Sequence, residues 1–82
     1  MIKIKFVLEE KRAIAYDNDI EVGECIFIEK DNTWNIIHTE VNKSYQGKGI
    51  ARMLVQCVIE NALNHGKELE ADCSYANKIM FP

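Results

Sequence analysis

Apolar and polar residues alternate from the first positions of the chain. Ile2, Ile4, Phe6 and Leu8 fall on one side and Lys3 and Lys5 on the other, a period of two that predicts a half-buried strand over Met1 to Leu8. Glu9-Glu10-Lys11-Arg12 reads as a polar turn, and Ala13 to Tyr16 returns as a short hairpin partner. Asp17-Asn18-Asp19 supplies side chains that favour another turn. Val22 to Glu29 predicts a third strand, and its Cys25-Ile26-Phe27-Ile28 run is apolar on both faces, as befits the centre of a sheet. After Lys30-Asp31-Asn32, Trp34 to Val41 gives a fourth strand. The first half is therefore an antiparallel meander.

The period changes after residue 49. Between Ile50 and Leu63 the polar residues Arg52, Gln56 and Glu60 recur every fourth position, and Asn64 extends the series. That is a helix with one narrow wet stripe, most of its circumference expected to be covered. Gly66 is suited to the left-handed stop. Leu69, Ala71 and Cys73 alternate with Glu70 and Asp72, which predicts a fifth strand; Ser74 then caps a short helix from Tyr75 to Phe81. A strand, helix and strand in succession predict a right-handed crossover with parallel strands. The fold class is α+β, a meander completed by one parallel β-α-β unit.

Composition narrows the function more than the fold. The chain has 82 residues, the length of a single domain, with 48% hydrophobic and 28% charged residues. A net charge of −3, with no basic cluster, argues against nucleic acid as a partner. No basic n-region with an apolar h-region opens the chain, and its longest apolar run is too short to cross a bilayer, so no membrane partner is expected. Cys25, Cys57 and Cys73 are odd in number and widely spaced. That suits a reducing compartment and a cytoplasmic location, and without a C-x-x-C pair no metal site is expected. The size fits a monomer or a weak dimer.

The segment S-Y-Q-G-K-G-I-A-R-M, Ser44 to Met53, joins the fourth strand to the long helix. A helix entry leaves backbone N–H groups unpaired and carries partial positive charge. Gly47 and Gly49 let an anion approach those amides, and Lys48 adds a full charge, so the turn suits a pyrophosphate. The simpler reading is a tight turn with no ligand. A Walker A loop is excluded because Ile50 follows Gly49, and a dinucleotide fingerprint is excluded because Arg52 stands at the third glycine position.

Gln46-Gly47-Lys48-Gly49-Ile50-Ala51 matches the Arg/Gln-x-x-Gly-x-Gly/Ala pattern of the GNAT superfamily of acyl-coenzyme A-dependent N-acetyltransferases. I-I-H-T-E-V, Ile36 to Val41, and A-D-C-S-Y-A, Ala71 to Ala76, resemble a minimal single-domain branch of that superfamily. The resemblance covers essentially the whole chain and is strongest from Ile36 to Ala76. It implies acetyl-coenzyme A as cofactor, its pyrophosphate on the backbone of Gln46, Gly47, Lys48, Gly49, Ile50 and Ala51. It also implies strands four and five splayed apart around the pantetheine arm, which would bond the backbone around Thr39 to Val41.

The implied chemistry is acetyl transfer to an amine of unknown identity. His38 would act as base and Cys73 as acid or nucleophile, both at positions matching the minimal branch. On pattern alone, Cys73 is a small buried hydrophobe, and His38 shares a face with Trp34 and Ile36 as a core histidine. Cys25 and Cys57 read as core. Tyr75 resembles the superfamily's acid, and Asn77 is a weaker candidate for a cofactor contact. Two other functions fit the same chain: a module that binds or senses acyl-coenzyme A without turnover, and an interaction domain whose apolar helix docks a partner. The segments that shape the acceptor pocket in fuller relatives have no counterpart here, which predicts an open cleft and either a large acceptor such as a protein terminus or lysine, or no efficient acceptor at all. Replacing Gly49 with a β-branched residue is expected to block the phosphate while leaving the fold largely intact.

Overall fold

The computed structural model describes residues 1–82, the whole sequence. Its elements in chain order are β1 (Ile2–Val7), a 3-10 turn, β2 (Arg12–Asp17), β3 (Ile20–Lys30), β4 (Thr33–Val41), a second 3-10 turn, α1 (Ile50–Asn64), β5 (Glu68–Ala71) and α2 (Ser74–Met80). The five strands form one sheet in sequence order. The first four are antiparallel and β5 is parallel to β4, as the meander and crossover predicted. β3 is the central strand.

One face of the sheet carries the core. Ala13, Ala15, Val22, Cys25, Phe27, Trp34 and Ile36 meet Ile50, Leu54, Val55, Val58 and Ala62 of α1, all of them buried. The rings of Phe27 and Trp34 stack at 4.3 Å, and Phe6 lies parallel to both. Aromatic groups of this size dominate the apolar area that a small domain removes from water. Gly23 lets the helix sit close to the sheet: a Cβ there would stand 3.1 Å from the Glu40 carbonyl oxygen and 3.2 Å from Leu54 Cδ1. The opposite face is dressed by charge. Arg12 bonds Glu10, Glu21 and Glu24 at 2.7–2.9 Å, on the face where Ile14 is buried outside the main core.

α1 ends as its sequence foretold. Gly66 has φ +68°, its N–H reaches the Leu63 carbonyl at 3.1 Å, and the Lys67 N–H reaches the Ala62 carbonyl at 2.9 Å, the Schellman arrangement. The wet side of α1 is wider than one stripe, however. Met53 is 41% and Leu63 65% exposed, because the helix packs on one sheet face with only α2 beside it.

Two other expectations need correction, and both concern the C-terminal end. Strand β5 stops at Ala71, so Cys73 is not a strand residue; it is the N-cap of α2, which begins at Ser74. Ser74 lies inside the helix and does not cap it. The cause is a change of direction at Asp72, set out below.

Leu54 is fully buried against the sheet, so deleting its methyl groups leaves a void at the contact of α1 with β3. Leu54→Ala is expected to lower the unfolding free energy by about 2–5 kcal/mol, read as an earlier urea midpoint at unchanged slope.

Candidate functional site

The site begins at a defect in β4. Ile26 of β3 pairs with His38 and the next residue, Phe27, pairs with Ile36, so Ile37 is an extra residue with no partner. Such a bulge shifts the alternation of side chains by one. Trp34 and Ile36 face the core before it; Thr39 and Val41 are the part-buried residues after it, and His38 is exposed. The expectation that His38 shares a face with Trp34 and Ile36 is therefore overturned. Its imidazole lies on the outer face, 3.2 Å from a Glu40 carboxylate oxygen.

The same place is where β4 and β5 part. Their pairing runs from Thr33–Glu68 to Ile36–Ala71 and stops. The Ile36 carbonyl accepts two bonds there, from the Asp72 and Cys73 N–H groups, each at 3.0 Å. Asn35 clamps the turn, its amide nitrogen donating to the Asp72 carboxylate at 2.9 Å and its oxygen accepting from the Asp72 N–H at 3.0 Å. Beyond this fork, β4 from Ile37 to Val41 has no strand on its β5 side.

A cleft of about 420 Å³ opens beside that free edge. Thr39 and Val41 of β4, Tyr45, Gln46, Gly47 and Gly49 of the loop, Ile50 and Ala51 of α1, and Tyr75 of α2 line it. Gly47 and Gly49 have φ +81° and +78°, conformations that L side chains rarely adopt. The N–H groups of the six consecutive residues Gly47, Lys48, Gly49, Ile50, Ala51 and Arg52 donate to no carbonyl and no side chain of the protein. Unpaired amides at a helix entry, reinforced by the helix dipole, have the geometry and charge that suit an anion. Open space surrounds both glycines, so the cost of replacing Gly49 comes from its positive φ, about 1–2 kcal/mol, and not from a clash. A β-branched residue there strains the loop locally in addition to crowding the amides.

Tyr45 also lines the cleft, a role that no feature of the Ser44–Met53 sequence signals. Its hydroxyl donates to Asp17 at 2.6 Å, which ties the loop to the end of β2. Lys48 Nζ stands 5.7 Å from the Tyr45 ring centroid, so the positive charge is held over the loop without itself lining the cleft. The Tyr45 hydroxyl bond and the Met1 amine hold the Asp17 carboxyl below its ordinary range.

Cys73 stands beside the cleft: it bonds the lining residue Thr39 without lining the cleft itself. Its thiol donates to Thr39 Oγ1 at 3.6 Å, and the Thr39 hydroxyl donates to Cys25 Sγ at 3.6 Å. Burial pushes the Cys73 thiol up, but bonds from the Ala76 backbone, the Thr39 hydroxyl and the Tyr75 backbone outweigh it and bring the thiol below its usual value. Burial pushes Cys25 up to about 11. Cys57 is half-buried on α1, and Cys25 is fully buried, in line with core roles. Asn77 donates to the Ala71 carbonyl at 3.2 Å and does not line the cleft. No cluster of three or more metal-ligating side chains is present, and no helix is long and apolar enough to cross a membrane.

A mixed sheet that forks between parallel strands, with a glycine turn of free amides opening the intervening helix, defines a small α+β domain with a cleft at the fork. Residues 11–81 match the model of the GCN5-related N-acetyl-transferase family, and the chain belongs to that family. A GCN5-like protein from Staphylococcus aureus, solved by NMR, is similar with TM-score 0.72 and 28% identity over 95% of this chain and 76% of that one. A GCN5-related N-acetyltransferase from Sphaerobacter thermophilus gives TM-score 0.70 and 29% identity over 76% of this chain and 21% of that one. A GNAT family acetyltransferase from Elizabethkingia anophelis, solved with acetyl-coenzyme A bound, shares the fold at TM-score 0.69 and 23% identity, over 85% of this chain and 49% of that one. The chain thus spans about a fifth of the Sphaerobacter protein and about half of the Elizabethkingia one. No curated protein matches the sequence.

The Asp17 bond has a pH signature. A carboxyl whose folded value lies below its unfolded value contributes stability above the unfolded value, about 3.9, and loses it as pH falls through the folded one. Stability is expected to drop below about pH 4, and Asp17→Asn to remove part of that drop in melts taken at stepped pH.

Proposed function

We propose that the protein binds acetyl-coenzyme A in this cleft and transfers the acetyl group to an amine. The observation that carries the reading is the run of six unpartnered N–H groups from Gly47 to Arg52 beside the free edge of β4. A diphosphate accepts from such amides, and glycine at two of the positions leaves room for its oxygens. Lys48 adds a full charge nearby. The free edge of β4 from Ile37 to Val41 offers backbone groups to the amides of a pantetheine arm, which joins the sheet as a strand would. Supporting the cofactor, the Elizabethkingia neighbour was solved with acetyl-coenzyme A and a Bacillus subtilis one with coenzyme A.

Acetyl-coenzyme A supplies a thioester, an acyl carbon open to attack with a sulfur leaving group. The fork places protein groups on both faces of the sheet. Cys73, beside the cleft, gives its proton to the departing sulfur as the C–S bond breaks. His38, on the outer face with Glu40 against its ring, takes the proton that the amine loses as the N–C bond forms. The acceptor therefore approaches from the face opposite α1, where no helix covers the sheet, which suits a large acceptor such as a protein terminus or a lysine side chain.

A thermal-shift titration tests the binding. At a hundredfold excess of acetyl-coenzyme A over Kd, stabilisation of about 2.7 kcal/mol is expected, and Lys48→Glu, at an exposed position free of backbone strain, should move the titration to higher ligand concentration. No shift at millimolar ligand would refute the reading. Single-turnover transfer to a peptide bearing a free N-terminus and a lysine then tests the chemistry. Cys73→Ala should bind normally and transfer at least about tenfold more slowly. Equal retention of the acetyl group by both proteins would reduce the function to binding alone.

A further inference from the structure

Cys25, Thr39 and Cys73 come from β3, β4 and the N-cap of α2, yet they form one continuous chain of polar atoms. Cys73 Sγ–H donates to Thr39 Oγ1, and Thr39 Oγ1–H donates to Cys25 Sγ, each over 3.6 Å. Thr39 is held in place by its register opposite Cys25, past the bulge that turned it inward. Cys25 is 0% exposed, Thr39 lines the cleft, and Cys73 stands next to it, bonded to Thr39. A hydroxyl has one proton to give and can also accept, so its orientation decides which sulfur it serves.

Resting on the acetyltransferase reading above, we propose that Thr39 is a positioning residue for Cys73, and that the three-membered chain reverses direction when Cys73 loses its proton. With Cys73 as a thiol, the order of donation runs from Cys73 through Thr39 to Cys25. With Cys73 as a thiolate, Thr39 turns its O–H onto Cys73, and Cys25 S–H donates to the Thr39 oxygen that has been freed. No proton changes owner within the chain; the proton Cys73 loses goes outward, to the departing sulfur. Every polar atom has a partner in both states, which a low-dielectric interior demands.

Burial keeps Cys25 protonated, with its value at about 11, so it remains able to donate in the second state. The other titratable groups on the packed elements are occupied or lie apart. Asp72 is bonded to Asn35, His38 pairs with Glu40 on the outer face, and Glu24 of β3 is bonded to Arg12. On α1, Cys57 bonds Asn61; on α2, Tyr75 and Lys78 are exposed. The neutral sulfur–hydroxyl–sulfur chain is thus the side-chain device that acts on the Cys73 thiol.

The test needs neither coenzyme A nor turnover. The rate of iodoacetamide labelling at Cys73 is followed against pH, read by mass spectrometry on the peptide that contains it, in native protein, Thr39→Val, Thr39→Ser and Cys25→Ala. Thr39→Val keeps the shape and removes the hydroxyl, so the midpoint of the profile should move up and labelling at pH 7 should fall about tenfold relative to the fully ionised plateau. Thr39→Ser should restore the native midpoint. Cys25→Ala should lie between Ser and Val, since the thiolate keeps the hydroxyl but the hydroxyl loses its own donor. A purely structural role would change labelling by the same factor at every pH. An unmoved midpoint in Thr39→Val, or a midpoint that Thr39→Ser fails to restore, overturns the proposal. Should Thr39→Val not fold, the Cys25→Ala midpoint decides: unmoved, it overturns the relay. Acetyl-coenzyme A titrations on the same variants judge the acetyltransferase reading separately.

Discussion

One carbonyl sets the geometry of this domain. The Ile36 oxygen accepts from both Asp72 and Cys73, ending the ladder between β4 and β5 and turning the chain away from the sheet. A carbonyl has two lone pairs, so it can close the sheet on one side and hold the departing strand on the other. Asn35 secures the same turn from its side chain. Had the two strands continued side by side, the inner end of the cleft would be filled with paired backbone. The extra residue Ile37 does complementary work on β4, turning Thr39 and Val41 toward the cleft and His38 away from it. A single fork thus creates a free strand edge, sets a cysteine beside it and distributes candidate acid and base to opposite faces.

The loop that follows β4 completes the site by electrostatics. Six successive N–H groups without protein partners would be costly in a closed core; at this helix entry five of the six residues are exposed or half-buried, Ile50 alone being buried, and the amides suit an anion. Two glycines at positive φ give the loop its curl, and Tyr45 moors it to Asp17 across the end of β2. The Tyr45 hydroxyl thus fixes the loop through Asp17, a residue outside the cleft lining. That arrangement leaves the amides free without leaving the loop unsupported.

Much of this could be read from sequence because the signals were local. Period-two alternation located the strands, the polar residues at every fourth position located α1, and the Gln46–Ala51 pattern pointed to the glycine turn that opens it. What escaped was set by tertiary geometry. A bulge adds one residue and reverses the phase of everything after it, so His38 was assigned to the wrong face although the strand itself was right. Leu69, Ala71 and Cys73 alternate, yet the ladder ends at Ala71 because the Ile36 carbonyl captures the next two amides. The importance of Asn35, Tyr45 and Asp17 rests on contacts 28 to 37 residues apart in sequence, which no local pattern reports.

The most direct measurement of the central claim, that the free amides of the glycine turn and the open edge of β4 hold coenzyme A, is an amide NMR titration of the protein with that ligand. The largest shifts are predicted at the N–H groups of Gly47 to Arg52, with a second set at Thr39 and Val41, and pantetheine alone should reproduce only the second set. Shifts confined to other regions, such as the apolar groove of Ile59, Leu69, Ile79, Met80 and Phe81, with the turn left unmoved, would contradict it.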